Sequence, residues 1–120
     1  AFTLCEAGVK LDEAMELADR ALVFEPNADY ILDTKGRIFF HRGDYQNAER
    51  YLRKAEERSF GDPEILGHLG DLYAAMDQPS MARRFYEMSL EEDPDNDSVR
   101  ARFEEFRRAL GEAELSEASP

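Results

Sequence analysis

A period constrains this chain more than any other feature. Ala14, Ala48 and Ala82 stand 34 residues apart, and the sequence around them recurs in register. Laying residues 29–62 over residues 63–96 pairs Ile31 with Ile65, Leu32 with Leu66, Gly36 with Gly70 and Ile38 with Leu72. The pairing continues through Phe39 with Tyr73, Leu52 with Tyr86 and Ala55 with Ser89. A fixed period of this length predicts a solenoid, in which each unit buries its apolar face against its neighbours and cannot close a core alone. With 120 residues the chain has enough length for one such domain.

Each unit reads as two helices. In the first complete unit, Ile31, Leu32, Ile38 and Phe39 recur at helical spacing until Gly43-Asp44 breaks the pattern. Tyr45, Ala48, Tyr51, Leu52 and Ala55 then mark a second helix to about Arg58. In the next unit Asp62 is a natural N-cap and Pro63 suits the first helical position, where its missing N–H costs nothing. That helix runs through Tyr73, Asp77-Gln78-Pro79 makes the turn, and the partner helix carries Met81, Ala82, Phe85, Tyr86 and Leu90. Gly36 with Ala48, and Gly70 with Ala82, place small residues where the two helices of a unit cross.

The expected organisation is a partial unit over 1–28, complete units over 29–62 and 63–96, a capping helix over 97–110, and a flexible acidic tail over 111–120. Residues 1–7 read as the end of a first helix, Gly8 as the break and 11–25 as its partner. In the cap, Val99, Phe103, Phe106 and Leu110 form one apolar stripe, while Arg100, Glu104 and Arg107 stand where the complete units are apolar or Gly. That polarity is what a helix with nothing stacked beyond it needs. The chain starts without Met and inside a helical pattern, so it reads as a piece of a longer protein.

These residues resemble the tetratricopeptide (TPR) repeat, a helix–turn–helix unit of 34 residues. Residues 66–73 (LGHLGDLY) match its first helix, and residues 43–48 (GDYQNA) match its turn and second helix. Residues 21–26 (ALVFEP) and 89–94 (SLEEDP) match its closing segment. The resemblance covers about residues 1–110 and departs at Lys35, where a large apolar residue is usual, and at Phe60, which replaces the closing Pro. The chain also resembles the C-terminal repeats of larger bacterial TPR proteins. The resemblance implies an all-α, TPR-type solenoid that acts as an adaptor, binding a peptide or helix in a concave groove. Carried over by position, the groove residues would be Tyr30, Asp33, Arg37, Phe40 and His41, then Glu64, Gly67, Asp71, Ala74 and Ala75, with Ser98, Ala101 and Glu105 extending them. Family members that grip a C-terminal carboxylate use Lys, Asn and Arg. Here Asp33 and Asp71 occupy two of the relevant places and only Arg37 is basic, which disfavours that mode. Gly67, Ala74 and Ala75 leave a shallow wall where a bulky partner would fit.

Charge and motif content narrow the function classes. Fifteen Lys and Arg against 27 Asp and Glu give a net charge of −12, which disfavours nucleic acid and anionic membrane surfaces; simple solubility accounts for it first, and attraction of a basic protein partner second. No apolar run approaches the roughly 18 residues of a membrane span. The single cysteine, Cys5, excludes an internal disulfide and reads as a small buried hydrophobe. No Ser/His/Asp pattern, phosphate loop or paired cysteines appear, so neither an enzyme nor a cofactor is expected. His68 and Asp71 lie one turn apart, but two ligands do not make a metal site. Beside the adaptor stands a second reading. The apolar face of residues 11–25 lacks a complete neighbour, so homo-oligomerisation through that edge is the alternative.

Overall fold

A computed structural model describes residues 4–118, with side chains described over residues 10–111. It contains six helices: α1 (Leu4–Phe24), α2 (Asp29–His41), α3 (Tyr45–Ser59), α4 (Pro63–Ala75), α5 (Pro79–Glu92) and α6 (Asp97–Ala118). No strand occurs among the described residues. The helices fall into two compact units, Ala1–Phe60 and Gly61–Pro120.

In the first unit α2 and α3 form a hairpin whose contact is set by one glycine. A Cβ on Gly36 would lie 2.7 Å from Leu52 Cγ and 3.1 Å from Leu52 backbone N, so only Gly allows this approach. Leu52 is 1% exposed, and Ala48 and Ala55 are fully buried beside it. Phe39 stacks on Tyr51 with ring centroids 5.5 Å apart. The elbow closes through Gly43 at φ 79°, with the Asp44 N–H donating to Phe39 O at 2.9 Å. Asp44 then caps α3, its side chain accepting from the Asn47 N–H.

Helix α1 docks on α2 partly through charge. Lys35 Nζ lies 2.7 Å from Asp19 and 4.5 Å from the centroid of the Tyr51 ring, and Arg42 pairs with Asp12. Burial by itself lowers the pKa of the Lys35 ammonium, but its bonds to Asp19 and Tyr51 outweigh that and hold it above the ordinary 10.5. The break expected at Gly8 is absent: α1 runs unbroken through it. A helical glycine costs only about 0.5–1 kcal/mol, and Glu6, Ala7, Lys10 and Leu11 around it are good helix formers. The Cys5 side chain lies outside the described residues, as do residues 1–3 of the partial unit.

In the second unit α4 and α5 repeat the hairpin. A Cβ on Gly70 would stand 2.7 Å from Tyr86 Cδ1, and Tyr73 stacks on Phe85 at 5.4 Å. Asp62 caps α4 by accepting from Glu64 N at 2.8 Å, ahead of Pro63 in the first turn. The buried Ser89 hydroxyl donates to Pro63 O at 2.6 Å, which spares it an unsatisfied burial. Helix α6 starts on Asn96, whose side chain accepts from Val99 N at 3.1 Å. It lays the fully buried Val99 and the rings of Phe103 and Phe106 against this hairpin, the two rings 5.3 and 5.7 Å from Tyr86.

Helix α6 does not stop at residue 110 but continues to Ala118. The apolar stripe ends at Leu110, yet Glu, Ala and Leu dominate residues 112–118 and are strong helix formers. Residues 119 and 120 of the expected tail lie outside the described residues.

Candidate functional site

Helix α2 is buried on every side but one. Ile31, Leu32, Gly36 and Ile38 are buried in the first unit. Tyr30, Thr34, Arg37 and His41 are all exposed, and their spacing of four, three and four residues puts them on one stripe. Tyr30 is 62% exposed, an unusual position for a large aromatic ring. Its hydroxyl donates to Glu25 Oε2 at 3.0 Å, and that bond and the carboxylate's charge raise the Tyr30 pKa. Thr34 Oγ1 donates to Tyr30 O at 2.8 Å, and Thr34 is exposed on the stripe between Tyr30 and Arg37. Phe40 sits at the edge of the stripe, half-buried, with its ring 5.7 Å from Tyr45 and 5.6 Å from His41.

Asp33 differs from its expected place. It is 8% exposed and engaged within the protein, because it falls on the flank that α2 buries and not on the stripe. Tyr30, Arg37 and His41 therefore share an open surface, with Phe40 at its edge and Asp33 withdrawn.

In the second unit, α6 covers much of the expected α4 face. A Cβ on Gly67 would meet Val99 Cγ2 at 2.9 Å and Arg102 Nη2 at 3.0 Å, so Gly67 is a seat for α6 and not an open wall. The Asp71 carboxylate accepts from the Tyr86 hydroxyl at 2.6 Å and from Arg102 Nε at 3.0 Å. Arg102 Nη1 also donates to Ser98 Oγ at 2.6 Å. Glu64 accepts from Asn96 Nδ2 at 2.6 Å. Burial, then the bond to Asp71, raises the Tyr86 pKa. Of the expected residues of α4, Glu64 and Ala75 are exposed and Ala74 is half-buried, and Ser98, Ala101 and Glu105 of α6 are exposed as well. The carried-over positions did not include Arg102, because the repeat carries no signal for a cation there. Asp77, expected only as part of the turn, stands in the register position of Gly43.

Among the described residues no group of three or more His, Cys, Asp or Glu is placed to hold a metal ion. No described helix is long and apolar enough to cross a membrane.

Paired helices with glycine-mediated crossings, repeating at 34 residues, define a helical-repeat protein. A family model described as tetratricopeptide repeat matches residues 39–114. The chain belongs to the tetratricopeptide repeat family. It is 39% identical over 70 residues to a TPR repeat-containing protein of Pseudomonas aeruginosa, an alignment covering 58% of this chain and 12% of that one. It is 32% identical over 77 residues to a TPR repeat-containing protein of Methanocaldococcus jannaschii, covering 64% of this chain and 13% of that one. The chain thus spans about an eighth of the length of these curated relatives. Among solved structures it is similar to the Sgt2 TPR domain from Aspergillus fumigatus, with a TM-score of 0.81 at 21% identity over 95% of this chain and 76% of that one. A thermophilic TPR protein of Thermus thermophilus gives 0.79 at 24% identity, over 88% and 54%. The first TPR of Spaghetti, bound to the HSP90 peptide SRMEEVD, gives 0.77 at 19% identity, over 88% and 83%. These likenesses show the fold: an all-α TPR solenoid.

Proposed function

We propose that this chain is a non-catalytic protein-interaction scaffold that holds a peptide or helix of a partner protein along the exposed stripe of α2. The observation that carries the reading is Tyr30, a ring 62% exposed one turn from Thr34 and two from Arg37. Anchors in protein interfaces are enriched in Tyr and Arg, and the repeat's own packing does not need either residue here. Family membership supports the role, as does the peptide held by the Spaghetti repeat.

That peptide carries three acidic residues, and this chain offers a different surface. Its stripe has one permanent cation, Arg37, while the whole chain carries −12. A basic partner gains on-rate from the overall field, with Arg37 left to take a carbonyl or carboxylate of the bound segment. The test is a photo-crosslinking residue placed singly in the full-length protein at Tyr30, Arg37 and His41, with controls at the exposed α3 positions Lys54 and Glu57. One partner crosslinked from the stripe and not from the controls supports the reading; equal crosslinking from both overturns it.

A second reading, self-association, rests on α1. Leu17, Val23 and Phe24 are 65%, 77% and 86% exposed there, although Leu17 shares its register with Tyr51 and Phe85, each of which stacks on a ring of its partner helix. Sedimentation across a concentration series decides it: a monomer throughout removes this reading.

A further inference from the structure

The elbow between α4 and α5 differs from its counterpart in the first unit at three positions. Between α2 and α3, Phe40 and Tyr45 fill the elbow with two rings 5.7 Å apart, and Gly43 makes the turn at φ 79°. Between α4 and α5 the same register positions hold Ala74, Pro79 and Asp77. The two rings are gone, and a hollow of about 180 Å³ remains, lined by Ala74, Pro79, Phe106, Ala109 and Leu110 with Asp77 on its rim. Asp77 takes φ 57°, a left-handed conformation in which a non-glycine residue is strained by about 1 kcal/mol. The fold thus keeps a carboxylate where glycine would be easier, on the rim of a hollow whose other lining residues are apolar.

We propose that this hollow is a pocket for one aromatic side chain of a partner protein, with a basic residue beside it in the partner's sequence to meet Asp77. The proposal rests on the scaffold role, since it takes the occupant to be a protein segment. Size favours a single side chain, because pockets that take whole small molecules run from about 300 to 1,000 Å³. Five of the six lining residues carry apolar side chains: Phe106, Leu110, Ala74, Ala109 and Pro79. An aromatic side chain is the occupant that the first unit itself places at this elbow. Asp77 is exposed, so a Lys or Arg reaches it from solvent, and the net charge of −12 draws such a segment in. Ala74, one of the expected groove residues, also lines the hollow.

The test titrates the nitrogen-labelled chain with three capped dipeptide amides: acetyl-Phe-Arg, acetyl-Phe-Glu and acetyl-Ala-Arg. Acetyl-Phe-Arg is expected to shift the amides of Ala74, Asp77, Ala109 and Leu110 saturably, binding about tenfold tighter than acetyl-Ala-Arg, the discrimination that one buried ring supplies. Ala74→Phe fills the hollow with the chain's own ring and should abolish the shifts; Ala109→Leu does the same should Ala74→Phe fail to fold. Asp77→Asn, which tolerates the same backbone, should erase the preference for acetyl-Phe-Arg over acetyl-Phe-Glu. Absent shifts at these amides, or equal shifts from all three peptides, overturn the pocket. Crosslinking from α2 reads the scaffold role separately: a partner still captured there by a chain that binds no dipeptide leaves the scaffold standing and removes the pocket.

Discussion

The Tyr86 hydroxyl donates a 2.6 Å hydrogen bond to Asp71 Oδ1, the same oxygen that accepts from Arg102 Nε at 3.0 Å. One carboxylate thereby ties α4 to α5 and to α6. Asp71 was expected to face a groove, but here its Oδ1 is committed to two bonds inside the unit.

Removing the two ends of this link should have unequal effects. Arg102→Ala breaks a partly solvated pair, 32% and 24% exposed on its two sides, and is expected to cost about 1 kcal/mol. Asp71→Ala also strips Tyr86 of its acceptor and leaves a partly buried guanidinium unpaired, for about 2–3 kcal/mol. Urea unfolding of the two variants gives the order; a larger loss for Arg102→Ala contradicts the assignment of Asp71 as the hub.

Two glycines of the second unit should respond to alanine with opposite sign. At Gly70 the new methyl would sit 2.7–2.9 Å from three atoms of the Tyr86 ring, which cannot swing away, so Gly70→Ala should lose about 1–3 kcal/mol. At Gly111, inside α6, nothing lies within 4 Å, so Gly111→Ala should gain about 0.5–1 kcal/mol from backbone entropy and helix propensity. Thermal unfolding midpoints that move the same way for both would contradict these environments.

Much of the core was legible because it is periodic. Leu52, Leu66, Leu72 and Ala82 follow the 3.6-residue rhythm and the 34-residue repeat together, and each is at most 1% exposed. The candidate site was legible only in part. Register places Gly67 and Asp71 on a face, but it is silent on Arg102, which arrives from 31 residues along the chain to cover them. The end of α6 was misjudged for a different reason. Apolar spacing marks where packing stops, whereas backbone hydrogen bonding and helix propensity carry the helix on.

Alkaline pH should weaken the fold through two named groups. Lys35 and Tyr86 both have pKa values raised above the ordinary 10.5 and 10.0. Each binds its proton more tightly when folded, so its contribution is complete below about pH 10 and is lost as pH rises beyond that. Tyr86→Phe and Lys35→Met should each flatten the decline in urea midpoint above pH 10. An unchanged slope in both variants would assign the decline elsewhere.

The central claim is that the exposed stripe of α2 is the partner-binding face. Photo-crosslinking in the full-length protein, from single residues at Tyr30, Arg37 and His41 against controls at Lys54 and Glu57, tests it most directly. The account predicts one protein captured from all three stripe positions, lost when the unmodified chain competes, and absent from both controls. Capture from Lys54 and Glu57 with nothing from Tyr30, Arg37 or His41 would contradict it.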